Sequence, residues 1–268
     1  MSRRHWHDLP PAVRAAVEQQ TGRIVSTVPV ATGAVSELVE VLHTADQRHF
    51  CKAITTDNPL VWMHRNEARL NPHVPSAPRL RCQVELDGWL LLIFAYAEGR
   101  HPRLDVGSPD LPAVAAALTA MSATPCPDVR VQPASARWAG LIAGELVDGN
   151  AIAHTDMTPR NFLVSDADIA VVDWSMPCRG AAWIDTALMI VRLIRAGHSA
   201  QQAEGWARNV PAFRQARPQA LNAFALATAE LTRRRSRQSP LPHLVELADA
   251  AALWAQHRTS SDVVNARL

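Results

Sequence analysis

Lysine is nearly missing: of the 27 lysine and arginine residues in this 268-residue chain, Lys52 is the single lysine. Abundant Ala and Arg with almost no Lys is the composition of a GC-rich coding sequence, and chemistry that needs a flexible point charge rather than a planar fork has one side chain to draw on. Neither sign of charge is in excess, since a formal net charge of +2 argues against a strongly polyanionic partner and equally against an acidic surface that attracts polycations. Cysteine is sparse and scattered. Cys51, Cys82, Cys126 and Cys178 form no Cys-x-x-Cys pair and read as buried thiols in a reducing cytosol. Residues 89–97 form the longest apolar run, far too short to span a bilayer, and no apolar segment follows the basic start of the chain, so a cytoplasmic protein without membrane contact is expected. There is no Gly-x-x-x-x-Gly-Lys-Ser/Thr loop, no Gly-x-Gly-x-x-Gly after a strand and no Gly-x-Ser-x-Gly elbow, which leaves P-loop, dinucleotide-binding and hydrolase readings without support. Internal repeats and low-complexity tracts are absent too.

With 48% apolar residues, the chain can bury a sizeable core as one two-lobed unit or two small domains. The first part reads as a helix over residues 10–20 followed by strands. Residues 23–30, 36–42 and the segment through Arg48 and Phe50 have strand character, and residues 79–86 and 89–96 flank the tight-turn pair Asp87-Gly88, a hairpin signal. After Pro102 the apolar period becomes helical: helices are expected from Pro112, over 134–147, 182–196, 199–209, 218–235 and 244–257. Arg233 to Arg237 is a basic run without interleaved aromatics at an expected helix C-terminus, which reads as a solvated helix end and not as a nucleic-acid surface. His5 and His7 have no further ligand near them in sequence and read as an exposed arm.

The chemistry is concentrated between His154 and Ser175. His154, Asp156 and Asn161 have the spacing His, any residue, Asp, four residues, Asn, with Pro159 inside the loop, and a short strand then leads to Asp173. In-line phosphoryl transfer needs a carboxylate to orient the attacking hydroxyl and accept its proton, a role for Asp156. It also needs hard oxygen ligands for Mg2+, which takes only one or two carboxylates or amides from protein; Asn161 and Asp173 are the candidates. Residues 162–164 and 169–172 are β-branched-rich runs around a polar turn, a hairpin that carries both ligands. His154 reads as a packed, hydrogen-bonded structural residue more readily than as a proton carrier.

This segment resembles the aminoglycoside phosphotransferase and choline kinase-like family, whose loop runs His-Gly-Asp, variable residues often including Pro, then Asn. Thr155 stands where the family's glycine is usual, and Asp173-Trp174-Ser175 stands where protein kinases have Asp-Phe-Gly. The resemblance implies an α+β, two-lobed protein-kinase-like fold, with a small antiparallel β-sheet lobe carrying a helix over residues 1–97 and a larger, mainly α lobe over 98–268. It also implies a lysine on the third strand that reaches the nucleotide phosphates and is held by a helix glutamate. Lys52 lies about a hundred residues before the loop, where that lysine is expected, and Glu67 is its implied partner, the alternative being a solvated helix residue. Gly33 is either the glycine that lets the backbone approach phosphate or an ordinary turn glycine. Adenine would meet backbone groups near Phe94 and Tyr96. Asp185 matches a family aspartate that braces the catalytic loop, or else is a helix-start aspartate favoured by the macrodipole. The expectation is an ATP- and Mg2+-dependent phosphotransferase acting on a small-molecule hydroxyl. A kinase-like binding protein that has lost turnover and assists a biosynthetic enzyme is the alternative, motivated by the glycine-poor nucleotide loop.

Overall fold

The computed structural model describes residues 4–31, 35–166 and 168–265. They group into two compact units, residues 1–98 with 170–176 and residues 99–169 with 177–268. The first unit runs to residue 98, and the short segment 170–176 belongs with it.

Unit 1 begins with helix α1 (Pro11–Thr21), whose prolines occupy the first turn and whose end is set by Gly22 at φ +91. Strands β1 (Ser26–Pro29), β2 (Leu38–His43) and β3 (Arg48–Thr55), helix α2 (Val61–Leu70), and strands β4 (Leu80–Leu86) and β5 (Trp89–Ala95) follow. The sheet is antiparallel with order β1-β2-β3-β5-β4. Asp87 and Gly88, both at positive φ, make the β4–β5 turn. The unbroken apolar run of β5 has a physical reason, because both faces of the sheet are covered. Trp89, Leu91 and Ile93 pack with Val13 and Val17 of α1, while Leu90, Leu92 and Phe94 pack with Val61 and Ala68 of α2. Alternation along β3 puts Cys51 and Ala53 in the α1 layer and Ile54 in the α2 layer, so Lys52 shares a face with Ile54. The segment 170–176 is tied in by the Val171 amide, which donates to the Ser76 carbonyl at 2.9 Å.

Unit 2 contains α3 (Leu111–Ser122), β6 (Gln132–Pro133), α4 (Ala134–Arg137), β7 (Ala151–Ala153), β8 (Phe162–Val164), β9 (Ile169–Val171, whose end belongs to unit 1), β10 (Cys178–Gly180), α5 (Ile184–Arg195), α6 (Ala200–Ala207), α7 (Pro211–Arg214), α8 (Pro218–Gln238) and α9 (Pro242–Asn265). Its small sheet has the order β6-β10-β7, and β8 and β9 form a two-stranded hairpin. The helix expected over 134–147 is corrected: α4 stops at Arg137, and a single 3₁₀ turn at Gly144–Leu146 follows. Gly140, at φ +74, breaks the helical path, and Gly144 lies so close to Ser135 that a Cβ there would stand 2.9 Å from the serine Cβ. Gly149 is needed for a closer approach still, because its Cβ would meet the Gly180 carbonyl oxygen at 2.5 Å. This fixes the entry to β7, and β7 delivers the chain to the loop at His154. Helix α5 is buried along most of its length, and Trp138 and Trp183 both pack edge-on against Phe224 of α8, each with ring centroids 5.1 Å apart. No described helix is long and apolar enough to cross a membrane.

Candidate active site

In unit 1 the sheet register brings the single lysine against two acids far apart in sequence. Lys52 Nζ donates to both Glu67 carboxylate oxygens and to Asp173 Oδ1, each at 2.9 Å. Glu67 is held by the apolar side of α2, where Val61, Met63, Ala68 and Leu70 are buried, and at 5% exposure it is no solvated helix residue. Burial disfavours the Lys52 ammonium, yet Glu67 and Asp173 outweigh it, and the pKa lies above the ordinary lysine value. Burial in turn pushes the Glu67 carboxyl upward against the pull of Lys52. Asp173 adopts φ +66, a conformation that costs a non-glycine residue energy and gathers at functional sites.

One turn before Glu67, His64 is 2% exposed, and its Nε2 lies 2.9 Å from Ser36 Oγ. Burial, reinforced by the Lys52 ammonium, lowers its pKa to about 4. A histidine whose folded pKa is depressed contributes stability above the unfolded pKa of roughly 6.5 and loses it as pH falls toward the folded value. Taking the pH from 7 to 5 is therefore expected to remove about 2 kcal/mol through this group alone. Urea unfolding at the two pH values, in wild type and His64→Gln, checks this. The difference should shrink by that amount in the variant, and an unchanged difference would exclude a neutral buried imidazole.

In unit 2 the loop after β7 is organised by the first turn of α5. Asp185, buried, accepts from the backbone amides of His154 and Thr155, each at 2.8 Å. Burial raises its carboxyl pKa, while His154 and the two amides work the other way. Asp185 is thus a helix-start residue whose oxygens are taken up by the loop. Thr155 sits at φ +70, a left-handed conformation that glycine adopts most readily. His154 is 1% exposed, and its Nδ1 accepts from the Asp156 amide at 3.3 Å. The turn Pro159–Asn161 brings Asn161 back onto the aspartate: Asn161 Nδ2 donates to Asp156 O at 3.0 Å and to Asp156 Oδ2 at 3.1 Å. The other Asp156 oxygen lies 3.5 Å from Arg192 Nη2, and the aspartate side chain is 52% exposed.

Arg192 is the contact that sequence reading missed. It stands seven residues after Asp185, two turns along the same side of α5, and that spacing of polar residues on an apolar helix was the available signal. Of the other expected residues, Phe94 is buried inside the sheet, paired with Phe50 on one side and Leu80 on the other. Tyr96 lies just past the end of β5, with the Arg48 guanidinium 4.4 Å above its ring. Gly33 lies outside the described residues. The structure thus gathers Lys52, Glu67 and Asp173 in unit 1, and His154, Asp156, Asn161 and Asp185 in unit 2.

No protein-family model matches this sequence, and no curated protein is similar to it at a significant level. Solved structures do match over nearly the whole chain. A thermostable mutant of aminoglycoside phosphotransferase APH(4)-Ia, in ternary complex with AMP-PNP and hygromycin B, is 17% identical with a TM-score of 0.57, covering 93% of this chain and 97% of that one. An aminoglycoside phosphotransferase from Alicyclobacillus acidocaldarius is 13% identical with a TM-score of 0.57, covering 94% and 93%. Choline kinase LicA from Streptococcus pneumoniae is 11% identical with a TM-score of 0.54, covering 92% and 98%. With its five-stranded antiparallel sheet and helical second unit, the chain has the α+β kinase-like fold of the aminoglycoside phosphotransferases and choline kinase.

Proposed function

We propose that the protein is an ATP- and Mg2+-dependent phosphotransferase that moves the γ-phosphoryl group to a hydroxyl of a small molecule. The observation that carries this reading is the single lysine of the chain, its side chain only 11% exposed and held at 2.9 Å by Glu67 and Asp173. A structural ion pair alone gives no reason for a lysine among 26 arginines, whereas a phosphate-binding point charge does. The AMP-PNP in the APH(4)-Ia complex supports an adenine nucleotide as co-substrate.

Lys52 serves the α and β phosphates, and Glu67 keeps it directed. The adenine contact falls to backbone groups of Tyr96 and Ala97, because the backbone of Phe94 is engaged in the sheet. Gly33 is proposed as the point where the nucleotide loop approaches phosphate. Asp156 orients the acceptor hydroxyl and takes its proton as the new oxygen–phosphorus bond forms and the bond to the β-phosphate oxygen breaks, leaving ADP. His154 and Asp185 position the loop that presents it. The donor set fits magnesium: Asn161 bonds through its nitrogen, which leaves the amide oxygen to a hard cation, and Asp173 is a carboxylate. Bound with the nucleotide, magnesium would neutralise charge along the triphosphate.

ADP release measured with Mg-ATP against a library of hydroxyl compounds tests the reading. Acceptor-dependent release that disappears without magnesium is expected. Nucleotide binding with no release across a broad library would instead identify a kinase-like binding protein.

A further inference from the structure

We infer that Arg192 is a positioning residue for phosphoryl transfer: from α5 it holds the Asp156 carboxylate in the direction that the acceptor hydroxyl needs. The inference rests on the phosphotransferase reading and gives a role to a residue which that reading leaves without one.

An aspartate side chain that is 52% exposed is not fixed by packing. Its terminal torsion is broad, and the 3.1 Å bond from Asn161 Nδ2 to Oδ2 secures one oxygen only. Arg192 supplies the second point, with Nη2 3.5 Å from Oδ1. The two contacts come from different elements, Asn161 from the turn inside the loop and Arg192 from α5. Helix α5 is suited to this because it is buried along most of its length, and the Arg192 side chain, only 20% exposed, has little room to move. The same helix already fixes the loop backbone, since Asp185 accepts from the His154 and Thr155 amides at 2.8 Å. Asp185 and Arg192 are two turns apart, about 10 Å of rise, on one side of the helix. One rigid element thus sets both the backbone of the loop and the carboxylate that the loop presents.

Among the described residues Asp156 is the one ion-pair partner of Arg192, whereas Arg195, a turn further on, is tied to Glu246 of α9. Burial disfavours the Arg192 cation, as do Arg195 and Arg235, and Asp156 is the group that favours it. An ion pair with a half-exposed partner contributes little to stability, so the consequence of this one falls on where the carboxylate points.

A double-mutant cycle tests this, with ADP release from Mg-ATP measured in wild type, Arg192→Met, Asp156→Ala and the double variant. The acceptor is the compound of highest turnover in a hydroxyl library that includes hygromycin B, choline and glucose. In Arg192→Met kcat should fall about 10–100-fold, up to the loss that a misplacement of about 1 Å can cause, with the KM for ATP and the melting temperature little changed. In the Asp156→Ala background the same substitution should cost nothing further, because a positioning residue acts through the group it positions. Arg192→Lys, which keeps a cation of similar reach, should recover part of kcat and carries the comparison if the apolar variant is unstable. Equal losses in both backgrounds, or full kcat in Arg192→Met, would overturn the inference. The Asn161 side-chain amide in nitrogen-15 NMR gives a readout without turnover: Arg192→Met should move its resonance, since Oδ2 shifts once Oδ1 is released. An unmoved resonance would likewise overturn the inference. A moved resonance, with no ADP release by wild type across the library, would leave the positioning contact standing and sink the phosphotransferase reading.

Discussion

Lys52→Met is expected to destabilise the protein by about 3–5 kcal/mol and to abolish detectable phosphotransfer. The ammonium it removes is held by three carboxylate oxygens at 2.9 Å, and Glu67, 5% exposed, is left without the cation that offsets its burial. Breaking one side of a buried pair costs more than the pair contributes, so the double variant Lys52→Met/Glu67→Leu should recover a large part of the lost stability while remaining inactive. The deficit of the single variant should also narrow as pH falls, because the stranded carboxyl takes up a proton. Lys52→Arg should keep the charge and more of the stability, yet lose most of the activity, since a planar fork cannot sit as a point charge among two acids and a nucleotide phosphate. Urea unfolding and ADP release on the four proteins check these expectations together. Equal stability of wild type and Lys52→Met would mean that Glu67 does not depend on the lysine.

Asp156→Ala separates in the opposite way. Its side chain is 52% exposed, and its contacts are a 3.1 Å bond from Asn161 and a 3.5 Å approach by Arg192. Loss of stability should therefore stay below about 1 kcal/mol. Turnover should fall by about 10²–10⁴, the usual contribution of a positioned general base, with the KM for ATP little changed. Steady-state kinetics on the purified variant, with its melting temperature as a control for folding, gives the comparison. Turnover equal to wild type would remove Asp156 from the mechanism.

How much of this was legible in the sequence follows from the range of the forces involved. The loop from His154 to Asn161 could be read because its spacing is local, and the structure then adds the bonds that hold it. The apolar run of β5 announced a strand covered on both faces, and the Asp87-Gly88 turn announced its partner. Lys52 could be placed on a strand, but its contact with Asp173, 121 residues away, depends on how segment 170–176 joins the sheet unit, which no local pattern encodes. The helix expected over 134–147 stops at Arg137 because two glycines interrupt its alanine-rich periodicity, one of them at φ +74. Arg192 gave only a weak signal, its seven-residue spacing from Asp185 on an apolar helix, because an arginine on a helix gives nearly the same sequence pattern whether it faces water or a carboxylate.

The positive φ values at Thr155 and Asp173 connect the local and global levels. Each sits in the left-handed region without being glycine, and each is held there by surrounding bonds: the loop at Thr155 by Asp185, and Asp173 by Lys52. Such strain persists where the neighbourhood over-determines a conformation, as a site that must present charged groups in fixed directions requires.

Phosphorus NMR of the protein with Mg-ATP and a hydroxyl acceptor tests the central claim most directly. The expected spectrum shows the γ-phosphate signal replaced by that of a phosphate monoester, with ADP in equal amount, in wild type but neither in Asp156→Ala nor in Lys52→Met. A spectrum in which ATP remains intact with every acceptor that binds, or yields only inorganic phosphate, would contradict it.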